Sequence, residues 1–184
     1  MTTSEQVTSG NVWLIGPMAS GKSTLGRALA GRLGWEYVDN DATVAELAGT
    51  STLELSEQGA DVLHDWESRY VHHLVDRSGS FVAGVAASSA DRPEDLRILA
   101  GAGLLVVLDV DLDVLVERVH SDPPRPFMSG DVRGDLSARI ARRTPALREH
   151  AGLVVDGARS VDELVDEVVR VLAGKPEVAS DSRE

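Results

Sequence analysis

The sequence contains no cysteine, which excludes disulfides and thiolate metal sites. Aromatic residues make up only 4% of its 184 residues. The core must therefore come mainly from valine, leucine and alanine, and platforms for stacking bases are few. No apolar run approaches the roughly 18 residues that a membrane-spanning helix needs. Met1 to Gly10 is polar and lacks the apolar stretch of a signal peptide. A cytoplasmic protein with no membrane partner is the expectation. Positive charge is also short. The chain has 18 Lys and Arg against 30 Asp and Glu, a net charge of -12. That balance argues against nucleic-acid binding, which rests on neutralising phosphates. It leaves room for a small anionic ligand, because a few arginines can build a local positive pocket.

Glycine, by contrast, is placed with effect. Gly16-Pro17-Met18-Ala19-Ser20-Gly21-Lys22-Ser23-Thr24 fits the phosphate-binding pattern G-x-x-x-x-G-K-[ST]. Chance matches occur, so the flanks must decide. Asn11 to Ile15 reads as a short buried strand. Leu25, Leu29 and Leu33 then recur at helical spacing, with stop signals at Gly31 and Gly34. Strand, loop, helix is the order that aims backbone N–H groups and a helix N-terminus at phosphates. Lys22 would reach the β- and γ-phosphates of ATP, and the Ser23 hydroxyl would ligate Mg²⁺.

Strand-like and helix-like segments alternate through the rest of the chain. Glu36 to Val38, Ser80 to Ala86, Gly103 to Leu108 and Leu153 to Val155 read as strands. Helices are expected over 42–48, 60–76, 91–100, 111–119, 135–148 and 161–172, with a helical turn over 52–56. Asp91 is the expected cap of the third of these, with Pro93 in its first turn. Pro145 is expected to bend or end the helix that contains it. Residues 120–134 hold too many prolines and glycines for a regular element and suit either a flap or a surface loop. This pattern predicts an α/β fold, a three-layer α/β/α sandwich on a parallel five-stranded sheet. One domain would span 11–173, between flexible tails at 1–10 and 174–184. No long apolar pattern suggests a large interface, so a monomer is favoured. Ligands in such sheets bind beyond the carboxyl ends of the strands. The P-loop, Asp39-Asn40-Asp41 and Ala86 to Ser89 should converge there. Of the two aspartates, one can hold Mg²⁺ through water and the other can orient an acceptor hydroxyl. Either could instead cap the next helix. The three tryptophans are expected to pack in the core, and His72-His73 to be structural.

The P-loop, then Asp39-x-Asp41, then Arg125-Pro126 in a proline-containing segment, then Arg143-x-Pro145 in a helix, resembles the shikimate kinase family. The likeness runs from about Asn11 to Leu172. It implies a P-loop kinase with a lid over ATP, at about 120–134. It implies that Asp39 helps hold Mg²⁺ and that Asp41 binds the acceptor hydroxyl where a base would act. It implies further that Arg125 reaches the ATP phosphates, that Arg118 packs on adenine beside 156–160, and that Arg143 pairs with the acceptor carboxylate. Guanidinium forks suit phosphates, carboxylates and flat rings.

The departures from the family pattern gather on the acceptor side. His64 stands where the family carries a second carboxylate-binding arginine, while Glu67 is kept. Val85, Ala86 and Ala87 stand where the family has three glycines, and Ser56 where it has an aromatic residue. Added side chains would narrow the pocket and restrict the backbone. These departures suggest an acceptor other than shikimate, with shikimate as the default and a polyol or sugar acid, as in gluconate-type kinases, the comparable alternative. Retention of Arg143 favours an anionic acceptor. A non-catalytic nucleotide-binding switch and a nucleoside kinase are further alternatives. Five catalytic-type residues speak against the first, and the scarcity of aromatics against the second. The expected ligands are thus ATP or ADP, Mg²⁺ and a small hydroxylated acceptor.

Overall fold

The computed structural model describes residues 10–121 and 131–174. The expected tails lie almost wholly outside the described residues, as do Arg125, Pro126 and most of the expected lid. The five strands are β1 (Asn11–Ile15), β2 (Glu36–Val38), β3 (Phe81–Val85), β4 (Leu104–Asp109) and β5 (Leu153–Asp156). They form one parallel sheet in the order β2-β3-β1-β4-β5. The helices are α1 (Lys22–Leu33), α2 (Asn40–Ala48), α3 (Thr52–Gln58), α4 (Ala60–Asp76), α5 (Pro93–Ala102), α6 (Leu112–Ser121), α7 (Val132–His150) and α8 (Val161–Leu172).

Alternation along the strands builds the three layers. Trp13, Ile15, Phe81, Ala83, Leu105 and Val107 face one side and pack under α2, α3, α4, α5 and the end of α7. Val12, Leu14, Val82, Val106 and Leu108 face the other side, against Leu25 and Leu29 of α1 and Leu164, Val165 and Val168 of α8. A smaller cluster of Val110, Leu115 and Leu136 joins α6 to α7. Trp13 is wholly buried, edge-on to Phe81, and its indole N–H donates to the Leu99 carbonyl at 2.8 Å. The β1–β3 seam is thereby tied to α5.

Local chemistry explains most boundaries. Gly34 closes α1 and Gly49 closes α2 in left-handed conformations, at φ 69 in both cases. Ser51 with Glu54, and Ser160 with Glu163, form reciprocal capping boxes at the starts of α3 and α8. One expectation needs correction. Asp91 does not cap α5: Arg92 is the N-cap and makes no side-chain cap hydrogen bond, while the Asp91 carboxylate is held by α7. Pro145 lies inside α7, which runs a little beyond its expected end to His150, with Leu147 anchored in the core. Packing of the following turn outweighs the one backbone hydrogen bond that proline lacks.

Tyr37 leaves β2 through a narrow gap between two glycines. A Cβ on Gly26 would sit 2.2 Å from its ring, and one on Gly84 2.8 Å from its hydroxyl. A Cβ on Gly31, also in α1, would meet nothing within 4 Å. Gly26→Ala should therefore destabilise the fold by about 1–3 kcal/mol through overpacking, whereas Gly31→Ala should stabilise it by roughly 0.5–1 kcal/mol through helix propensity. Urea unfolding of the two variants reads both signs. Equal effects would show that the Tyr37 gap is not tight.

Candidate active site

All five strands end toward one cavity of about 1250 Å³. Its floor is the turn from β1 into α1. Ala19 and Gly21 both take left-handed backbone there, at φ 61 and φ 95, which turns successive N–H groups into a concave nest for anions. Gly16 is fixed by close approach, since a Cβ would lie 2.8 Å from the Leu108 carbonyl oxygen. The Lys22 ammonium folds over the loop and donates to the Gly16 and Pro17 carbonyls, each at 2.9 Å. Ser20 Oγ is buried without a hydrogen-bond partner among the described residues. Pro17, Met18, Ser23 and Thr24 also line the cavity. This cradle fits a nucleotide's phosphates.

Asp39 is the N-cap of α2, and its Oδ1 accepts from the N–H groups of Asp41 and Ala42 at 3.1 and 3.3 Å. Its other oxygen lies 3.7 Å from Arg27 Nη2. Capping and a place on the cavity wall thus coexist in one carboxylate. Asp41 is exposed in the first turn of α2 and accepts from the Asn40 amide at 3.0 Å. The Tyr37 phenol lies beside the Ser23 hydroxyl on the cavity wall, and its pKa is raised, chiefly by burial. Tyr37 is a site residue that sequence reasoning missed. Its position two residues before Asp39 was the available signal. Among the described residues no three His, Cys, Asp or Glu side chains gather to hold a metal. A hydroxyl at Ser23 and a carboxylate at Asp39 fit Mg²⁺, which takes few protein oxygens alongside waters and phosphates.

On the nucleotide side, Arg118 of α6 bridges two loops. It donates to the Ala19 carbonyl and to the Gly157 carbonyl, each at 3.3 Å. The structure thus joins the expected adenine-side arginine to the segment after β5.

On the acceptor side, His64 of α4 is half-buried and lines the cavity. Burial, and next the Arg143 charge, push its pKa down, so it brings no charge near neutrality. Val85 ends β3 with its side chain fully buried in the core. Ala86 and Ala87 form the half-buried turn at the wall. Ala86 has φ -66 and ψ 138, open to any residue. Ala86 thus holds this turn in an ordinary backbone conformation without a glycine. Behind it, the Ser88 hydroxyl donates to Glu67, a buried carboxyl on the cavity wall. Burial pushes Glu67 up to about 7, against the pull of Ser88 and helped by the charge of Asp41. Arg143 is only 12% exposed in its side chain and also lines the cavity.

A family model described as shikimate kinase matches residues 18–173. The shikimate kinase of Nitratidesulfovibrio vulgaris is 37% identical over 167 residues, covering 88% of this chain and 95% of that one. The chain belongs to the shikimate kinase family. Solved shikimate kinases share its fold. That of Acinetobacter baumannii, in complex with shikimate, gives a TM-score of 0.84 at 24% identity over 92% of this chain and 97% of the other. That of Aquifex aeolicus gives 0.73 at 25% identity, over 89% and 96%. The protein is accordingly an ATP-dependent small-molecule kinase, a phosphotransferase that uses ATP with Mg²⁺. Neither a gluconate-type kinase nor a switch is favoured by these relatives.

Glu67 supplies a pH test of this shikimate kinase fold. A carboxyl raised from 4.5 to about 7 binds its proton more tightly when folded. The stability it contributes is full below the unfolded value and is lost as pH rises through about 7. Glu67→Gln removes that loss while keeping an oxygen for Ser88. The variant's stability relative to the parent should therefore rise between about pH 5 and about pH 8 in urea titrations. A constant difference would mean that Glu67 titrates normally.

Proposed function

We propose that this kinase transfers the γ-phosphoryl group of ATP to a hydroxyl of shikimate. The observation that carries the proposal is convergence: the P-loop, the Asp39–Asp41 pair and Arg143 all line one cavity in a chain 37% identical to a shikimate kinase. Lys22 and the loop amides hold the phosphates, with Gly16 to Thr24 as the cradle and Arg118 toward the base. Ser23 and Asp39 would hold Mg²⁺, which when bound neutralises charge on the phosphate oxygens. Asp41 orients the acceptor hydroxyl and takes its proton as the new O–P bond forms and the bond to ADP breaks. Lys22 and Arg125 stabilise the charge that develops on the departing and transferring oxygens. Arg143 pairs with the acceptor carboxylate. His64, Val85 and Ala86 line the acceptor's remaining side.

A neutral His64 cannot supply a permanent guanidinium. Losing one charge-assisted pair costs about 1.5–3 kcal/mol, so shikimate should bind roughly ten- to a hundredfold more weakly than with two clamping arginines. We further take the chain as a monomer of the cytoplasm. Its use of ATP supports the compartment. No helix among the described residues is long and apolar enough to cross a membrane. Among the described residues the large exposed apolar side chains, Leu47, Leu53 and Val154, are few.

An ADP-release assay with shikimate, gluconate and other polyols tests the acceptor. Turnover with gluconate and none with shikimate would overturn the proposal. Asp41→Asn should lower kcat by about a hundredfold or more and leave ADP affinity unchanged by calorimetry. Loss of ADP binding would mean that Asp41 serves the nucleotide. His64→Arg should lower the KM for shikimate by roughly tenfold, and an unchanged KM would place residue 64 away from the carboxylate.

A further inference from the structure

Asp91 lies on the short 3-10 turn Ala87–Asp91 that follows β3. Its carboxylate collects two guanidiniums from α7. Arg143 donates from Nε at 3.1 Å and from Nη2 at 2.7 Å, both to Oδ2. Arg142 donates from Nε to Oδ1 at 3.1 Å and from Nη2 to Oδ2 at 3.0 Å. Successive helical residues ordinarily point apart. Here both reach one oxygen, because the carboxylate offsets the repulsion between them. Partial burial alone would raise Asp91, but hydrogen bonds and charge from Arg143 and Arg142 hold it below the ordinary carboxylate range. It therefore stays ionised at neutral pH.

The geometry matters for what remains free. Asp91 does not line the main cavity, whereas Arg142 and Arg143 both do. The carboxylate takes two of the five N–H donors of Arg143. The two Nη1 donors and one at Nη2 form the end-on fork that suits a second carboxylate. Two cations held by one anion leave a net positive charge at the wall where His64 supplies none.

We propose that Arg142 is a second acceptor-carboxylate residue, drawn to the cavity by Asp91, so that in this chain both clamping cations come from α7. Asp91 is the positioning residue of that pair. The inference rests on an acceptor that carries a carboxylate, as proposed above. It accounts for how a kinase with histidine at position 64 can still recognise an anion.

Steady-state kinetics with shikimate and with its neutral methyl ester test this. Arg142→Ala should raise the KM for shikimate by about tenfold, with kcat changed by less than about twofold and the KM for the ester unmoved. Arg142 is 61% exposed in its side chain, so this variant should fold, and an unchanged ADP affinity checks that it has. Asp91→Asn should shift the shikimate KM in the same direction and again spare the ester. In a His64→Arg background the effect of Arg142→Ala should shrink, because the missing cation is restored. An unchanged shikimate KM in Arg142→Ala, or equal losses with acid and ester, would overturn the inference while leaving the acceptor assignment standing. No shikimate turnover by the unmodified enzyme would overturn both.

Discussion

The turn from β1 into α1 holds a residue where its backbone does not want to be. Ala19 is the one non-glycine residue with positive φ among the described residues, and a left-handed alanine costs roughly 1–2 kcal/mol. The cost is borne because the turn is pinned from several directions. Below it, β1 is wholly buried from Val12 to Ile15. Beside it, Gly16 rests against the Leu108 carbonyl of β4. Above it, Arg118 holds the Ala19 carbonyl from α6. A strained nest of N–H groups survives only where the surroundings over-determine it. The surroundings here include the central strand, its neighbour and the helix that leads toward the residues of the expected lid.

The electrostatics follow from the same arrangement. An acidic surface of net charge -12 surrounds a cavity lined by Lys22, Arg118, Arg142 and Arg143. Repulsion from the surface is screened over about 10 Å, while charges at the cavity wall act over hydrogen-bond distance. Local placement therefore decides which small anions bind, more than overall charge does. Within the cavity the acids are sorted by environment. Asp41, near solvent, can meet a hydroxyl. Glu67, buried behind Ser88, is raised toward neutrality and holds its proton far more readily. Two carboxyls on one wall are thus kept from both being fully charged.

Much of this was legible in the sequence, and the reasons are local. The P-loop announces itself because its glycines, lysine and serine sit between a β-branched and leucine-rich strand and a leucine-spaced helix. A continuous apolar run as short as Leu104 to Leu108, bounded by Gly103, reads as a strand covered on both faces. What stayed hidden depends on contacts distant along the chain. Asp91 has every local mark of a helix cap: an acid, then Pro93, then Glu94. Two arginines some fifty residues further on claim it instead. Pro145 stays inside a helix that runs on to His150, with Leu147 buried beyond it. In each case tertiary packing outweighed a correct local preference.

The acceptor side shows why a substitution at one motif position is a poor guide to the function lost. Reading His64 alone removes a cation and suggests a different substrate. Recognition of a carboxylate, however, requires donors and positive charge at a place in space, not at a place in the chain. The α7 side of the cavity carries two arginines whose approach to each other depends on Asp91. The turn at Ala86 and Ala87 keeps an ordinary backbone without its glycines. A family pattern records one solution to the geometry. Retained at Arg143 and broken at position 64, it is compatible with a second solution built from neighbouring residues of the same helix, provided that an anion stands behind them to hold two like charges together.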